Sequence, residues 1–440
     1  MIKKKSLLRT CVVIAAALIV CCFATATQAN TIAVGSCKPN LVSYSTIQAA
    51  VTAAAPGTTI DVCPGIYPEQ VSISKPLTLL GIAVGTADAA VIIPPATWVP
   101  NGVLIFQENG TPNALAQISV QNTSGVTISH ITVDGANNGL SDCVSVGSLI
   151  GIYFGNASGT ITDSVARNQQ MNNGDQCGFG IDVESNTGSN TVTISDSSVS
   201  NFQKNGICAR GPGNGSTNGP FVTVTANTVT GIGATSNIAE NGIEIAFGAS
   251  GSVTSNYVAD VLYTGGGGEG NGSTGILFYA GGASTATSNV VESANIGIAT
   301  VTDQSGSLYG GLGDGASIKS NHIGGTQLYD AIDLCSNNDT AESNFIENAA
   351  QSGIHIDNNT DGCADVGTAP NWTGDIVKTN TINSSCAGVL IGYATGNTTT
   401  PNTDLNVTNT TKAGDTCTPL ASNVKSEGVG QKHRSFKPKP

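Results

Sequence analysis

Gly242-Ile243-Glu244-Ile245, followed by Val253-Thr254-Ser255-Asn256, is the stretch that decides the fold, because both halves of it recur in the same order. The first half, Gly-Ile-x-apolar, returns at Gly151-Ile152-Tyr153-Phe154, Gly180-Ile181-Asp182-Val183, Gly206-Ile207-Cys208-Ala209, Gly275-Ile276-Leu277-Phe278 and Gly297-Ile298-Ala299-Thr300. Further copies stand at Ala331-Ile332-Asp333-Leu334, Gly353-Ile354-His355-Ile356 and Gly388-Val389-Leu390-Ile391. The second half, a short alternating strand that runs into asparagine, ends at Asn227, Asn256, Asn289, Asn321, Asn344 and Asn380, each followed two residues later by Val or Ile. Two motifs repeated in fixed order are the mark of a solenoid whose units stack on their neighbours.

The shortest repeats, Gly275 to Gly297 and Ala331 to Gly353, are 22 residues, enough for three short strands and three turns. Longer spacings then hold loop insertions, the largest being Asn256 to Gly275, Val301 to Gly315 and Asn358 to Gly374. Period-2 alternation, 55 glycines and only 5% aromatic residues, with almost no helical periodicity, give an all-β parallel solenoid of roughly ten coils. An antiparallel sandwich would not repeat the same two motifs in the same order. Asparagine tolerates the left-handed backbone of a sharp turn, and identical side chains stacked rung over rung hydrogen-bond as a ladder. Asn227, Asn256, Asn289, Asn321, Asn344 and Asn380 are assigned that structural role.

Ahead of the repeats, Ser45-Thr46-Ile47-Gln48 reads as the start of a helix running to Ala55, whose apolar face would plug the open end of the coil. Residues 1–29 read as a signal peptide: Lys3, Lys4, Lys5 and Arg9 precede an apolar run from Cys11 to Phe23, too short to span a bilayer, and then small residues. The domain is expected over residues 30–425 with its cap in 30–81, and residues 426–440 read as a basic, disordered tail. A secreted, periplasmic or cell-surface location follows. No later segment is apolar and long enough to anchor the chain.

Loss of the leader would remove four of 17 basic residues and no acidic one, leaving 13 against 30 and a net charge of −17. This argues against duplex nucleic acid as a partner. Nine of the 12 cysteines lie beyond the leader, an odd number, so one is left free or bridges chains. Cys37 and Cys63 flank the cap and are expected to pair. No CxxC occurs and the histidines are scattered, so no zinc site is read. No cofactor is called for beyond calcium, whose loop composition, without a loop's ligand spacing, appears around Asp357, Asp361 and Asp365.

Three segments, Tyr44-Ser45-Thr46-Ile47-Gln48-Ala49-Ala50, Pro64-Gly65-Ile66-Tyr67-Pro68-Glu69 and Lys75-Pro76-Leu77-Thr78-Leu79-Leu80-Gly81, resemble the N-terminal region of pectin-lyase-like right-handed parallel β-helix proteins. The Gly-Ile and Asn motifs resemble the short β-helix repeats of the same superfamily, so the resemblance covers roughly residues 41–395. It implies a right-handed coil in which the Gly-Ile-x-apolar sheet lines the ligand groove. The catalytic signatures of pectate lyases, polygalacturonases and alginate epimerases are missing from the chain, and the superfamily spans lyases, hydrolases, epimerases and adhesins.

In Gly-Ile-x-apolar the apolar residues point inward and x points out, giving an outward column Tyr153, Asp182, Cys208, Glu244, Leu277, Ala299, Asp333, His355, Leu390. With rungs ~4.8 Å apart, Asp182 and Glu244 stand two rungs apart, near the carboxyl separation of inverting glycosidases. Asp333 and His355 stand on adjacent rungs, within hydrogen-bonding reach. These four are the catalytic candidates. Tyr153 and Trp372 are candidate sugar-stacking platforms, and Arg210, between Asp182 and Glu244 in rung order, is a candidate ligand contact. Between Val126 and Lys378 the only positive residues are Arg167, Lys204, Arg210, Lys319 and Lys378. So acidic a face repels a polyuronate and favours a neutral glycan. Three functions fit: a protein that binds extracellular polysaccharide along one sheet, a polysaccharide hydrolase or lyase, and an envelope or adhesion protein with a protein partner.

Overall fold

The computed structural model describes residues 30–83, 89–106, 112–171, 177–266, 271–302, 313, 315–357, 372–383, 385–392, 396–414 and 417. The expected leader and basic tail lie outside these residues, as do Asp361 and Asp365, residues 267–270 of the first insertion and most of the other two.

Each repeat folds as three strands. One coil consists of Ser250–Thr254, Tyr257–Tyr263 and Thr274–Tyr279, and the next of Thr285–Thr287, Val290–Ala294 and Ile296–Val301. Equivalent strands of successive coils pair in parallel into three long sheets of 13, 12 and 13 strands. The first sheet ends at Ile376–Lys378, the second runs from Gly65–Pro68 to Thr403–Leu405, and the third, which holds the Gly-Ile copies, from Val71–Ile73 to Asn409–Ala413. Like sits on like: Ile207, Ile243, Ile276 and Ile298 are successive partners. Such stacking buries one continuous core from Ile32 to Val389, which no single coil could close over alone. The repeated glycine is needed because a Cβ on Gly242 would fall onto the Val258 side chain and the Gly275 carbonyl oxygen.

The asparagine ladder forms as expected and runs one rung further. Nδ2 of Asn227, Asn256, Asn289, Asn321 and Asn344 each donates to Oδ1 of the next asparagine at 2.9 to 3.0 Å. Asn380 donates to Asn402 in the same way. Each Oδ1 also accepts the backbone N–H of the asparagine below, as Asn289 does from Asn256. The left-handed backbone does not fall on the asparagine, however. It falls one residue earlier, at Ala226, Ser255, Ser288, Ser320, Ser343 and Thr379, with φ of 55 to 59°. The asparagine must turn its amide into the coil, so its neighbour makes the corner.

The expected helix spans Ile47–Ala53 and buries Ile47, Ala50 and Val51 against the first coils. Thr46 caps it by accepting from Ala49 N. Glu69, far along the chain, takes the N–H groups of Ile47 and Gln48 on its two carboxylate oxygens at 2.8 Å each, a charge well placed at a helix N-terminus. Cys37 and Cys63 pair as expected, and Cys143–Cys177 and Cys386–Cys417 are also bonded. Cys335 is in a disulfide as well. The odd cysteine is Cys208, free and fully buried, so it does not bridge chains. Among the described residues no helix is long and apolar enough to cross a membrane.

Candidate functional site

The third sheet carries the expected column: Asp182 pairs with Cys208, and Cys208 with Glu244. Except at the partly buried Leu277, the column does not meet solvent. Tyr153, Asp182, Glu244, Asp333 and His355 are between 0 and 6% exposed. Chain segments outside the repeat fold across this face. Gly102–Val103 pairs antiparallel with Asn113 and Ala114, and Phe106 stacks on Phe247 with ring centroids 3.8 Å apart.

Beneath this cover Arg210, 1% exposed, lies 2.6 Å from Asp182 and 2.9 Å from Glu184, with its guanidinium over the Phe179 ring. Glu184 also accepts the backbone N–H of Ile105. Burial pushes the Glu184 carboxyl up to about 8 against the pull of Arg210, and raises Asp182 against the same guanidinium. Of the two carboxyls, Asp182 makes the shorter contact with Arg210 and is its nearer counter-ion. Glu244 is held by Asn241 at 2.9 Å. The rung arithmetic for Asp182 and Glu244 holds, but a buried cation pins the first, and a polymer has no path to either. Arg210 is correspondingly a structural counter-ion rather than a ligand contact.

Tyr153 fits beside Gly102 and Gly155, its hydroxyl donating to Val103 O, and packs with Leu104, Leu149 and Phe179. Trp372 is fully buried with Val301 and Cys335. Neither ring is a stacking platform. Asp333 and His355 pair in register as expected. Yet His355 Nδ1 contacts Asp330 Oδ2 at 3.1 Å, and Asp333 Oδ1 at 4.0 Å lies beyond hydrogen-bonding range. Sequence parity found the residue across the rung and missed the one at the turn before it.

The second sheet is open and carries chemistry that the repeat reading passed over. The residue directly after each ladder asparagine points outward, so Tyr257, Val290, His322 and Phe345 form one column on successive rungs. Two residues on, Glu292 pairs with Gly324, and Glu347 occupies the next rung. Tyr257 donates to Glu292 at 2.9 Å, and His322 Nε2 meets Glu347 at 3.2 Å. The His322 and Phe345 rings tilt together 5.2 Å apart. Phe345 is 40% exposed and the His322 side chain 41%. A Cβ on Gly324 would meet the His322 ring at 3.3 Å, so this glycine leaves a shallow notch between the two carboxylate rungs. The first sheet, by contrast, presents ranks of hydroxyls, such as Thr160, Thr193 and Thr223, with the exposed ring of Phe221 at the start of one strand rather than a column of rings.

No family model and no curated protein matches the chain. Among solved structures, the surface adhesin PfbA of Streptococcus pneumoniae superposes over 86% of this chain and 89% of its own, with a TM-score of 0.54 at 13% identity. This chain is a right-handed parallel β-helix. The A-module of a mannuronan C-5 epimerase from Azotobacter vinelandii aligns over 82% of this β-helix and 94% of its own length, at 16% identity and a TM-score of 0.39. The catalytic unit of an α-1,3-glucanase from Streptomyces thermodiastaticus aligns over 84% and 66%, at 13% identity and a TM-score of 0.47. At these identities the likeness is one of fold alone.

Proposed function

We propose that this β-helix binds a neutral extracellular polysaccharide along the open face of its second sheet, without cleaving it through the carboxylates of the third. The carrying observation is the half-exposed aromatic column Tyr257, His322 and Phe345 beside Glu292 and Glu347. Rings offer an apolar face to a sugar's C–H surface, and carboxylates accept from its hydroxyls. From Tyr257 to Phe345 is three rung steps, ~14 Å at ~4.8 Å each, a length suited to a short run of extended sugar units. Two carboxylates in the strip favour an uncharged glycan over a polyuronate. Several disulfides in one chain suit an oxidising, extracytoplasmic location.

The test is affinity electrophoresis and calorimetry on a panel of neutral glucans, mannans and xylans, with polygalacturonate as the acidic control. Phe345→Ala should weaken binding about tenfold, or ~1.4 kcal/mol, and Tyr257→Ala several-fold. Binding that survives both substitutions, or no binding to any neutral glycan, would overturn the reading.

A further inference from the structure

The buried cluster around His355 has the composition and spacing of a metal centre, and it lies away from the proposed glycan strip. Asp330 stands at the turn before Ile332–Cys335, Asp333 within that strand, and His355 on the paired strand of the next coil, Ser352–Ile356. One donor atom from each lies within 4.8 Å of the other two. His355 Nδ1 is 3.1 Å from Asp330 Oδ2 and 4.0 Å from Asp333 Oδ1. Ligands held ~2.1 Å from a common ion stand roughly 3 to 4 Å apart as the angle between them opens from a right angle. The observed separations fall in that span. All three side chains are 0 to 1% exposed, and Ser352 Oγ fixes the other oxygen of Asp330 at 2.5 Å. Ordered outer partners of this kind hold a metal-ligating carboxylate in place.

It is Nδ1 of the ring that faces the two carboxylates, while Nε2, directed away from them, is buried without a hydrogen-bond partner, so the imidazole is fixed here through Nδ1 alone. Asp357 extends the cluster, with a carboxylate within 4.8 Å of a donor atom of Asp333. Cys335, equally close, is excluded as a ligand because its sulfur is in a disulfide.

We propose that Asp330, Asp333 and His355 form a buried binding site for a first-row divalent cation, with zinc the best match. Two carboxylates and one imidazole suit zinc or its neighbours, whereas calcium takes six to eight oxygens. The ion staples two consecutive coils near the C-terminal end, and its binding energy adds to folding energy.

The experiment uses the untagged full chain, stripped with chelator, loaded with zinc chloride and passed through gel filtration. About one zinc per chain should remain by mass spectrometry, and zinc should raise Tm where magnesium and calcium at equal concentration do not. Loading with cobalt(II) instead should give visible absorption bands of a nitrogen- and oxygen-ligated ion. Asp333→Asn and His355→Gln should each lower zinc retention at least tenfold and abolish the bands. Equal retention by His355→Gln places the metal elsewhere, for example at His433, and overturns the proposal. So does a wild-type chain that retains no zinc, gains no Tm and shows no cobalt bands, a readout that needs no variant to fold.

Discussion

Glu240 makes the stability of this protein fall with rising pH, by an amount the structure sets. It is fully buried in the turn before Asn241–Ala246, where one carboxyl oxygen accepts from Ile232 N at 3.2 Å and the other has no partner. Burial, helped by Asp260, pushes its carboxyl from the ordinary 4.5 up to about 8. The folded chain thus holds a proton that the unfolded chain releases at lower pH. The contribution is fully present below pH 4.5 and is lost as pH rises through about 8. At about 1.36 kcal/mol per pH unit the gap has a ceiling of about 5 kcal/mol, lowered by any water that reaches the site. Glu240→Gln removes the titration but leaves a buried amide N–H without an acceptor, which costs roughly 1 to 3 kcal/mol. The variant should therefore be less stable than wild type at pH 5 and more stable at pH 9, with the curves crossing between. Urea midpoints from circular dichroism across that range measure both, and Glu184, also at about 8, titrates in both proteins and cancels. A difference between variant and wild type that stays constant from pH 5 to 9 would refute the reasoning.

Asn289→Ala removes an amide that accepts from the backbone and side chain of Asn256 and donates to Val253 O and Asn321, so it should cost about 2 to 4 kcal/mol by urea midpoint. Asn402→Ala, at the part-buried end of the ladder, should cost less than half as much. Arg210→Met strands Asp182 in the interior and should cost about 3 to 5 kcal/mol at pH 7. That loss should shrink in acid as Asp182 takes up a proton, and an undiminished loss at low pH would deny Arg210 its role as counter-ion.

The coil was legible because its information is periodic. Each Gly-Ile copy and each ladder asparagine reports the same local geometry, so the stack from Ile152 to Val389 and the ladder from Asn227 to Asn380 follow from spacing alone. What covers the third sheet was not legible. Gly102–Val103 and Phe106 belong to an insertion with no period, and alternation assigns only a face, not whether solvent or another layer of protein meets it, as protein meets Asp182 and Tyr153. Glu184, two residues past Asp182, shares that face and binds Arg210, but the four-residue motif stopped short of it. The open strip on the second sheet did leave a signal. The residue after each ladder asparagine, Tyr257, His322 or Phe345, alternates outward by the same rule that sends Val258, Ile323 and Ile346 inward. Asp330 left none, since it lies at a turn, where alternation says nothing.

The asparagine ladder also restricts how such a chain can change length. Every rung receives a hydrogen bond from one side and passes one on, always in the same direction, so a rung cannot be shortened or half removed without leaving an amide facing an empty place. A whole coil brings its own asparagine and closes the chain of bonds again, as Asn402 does beyond Asn380. The molecule can thus gain or lose length only in complete turns, or in the loops that leave the coil between strands. Its descendants should differ by multiples of a rung in the body and by any number of residues in the loops.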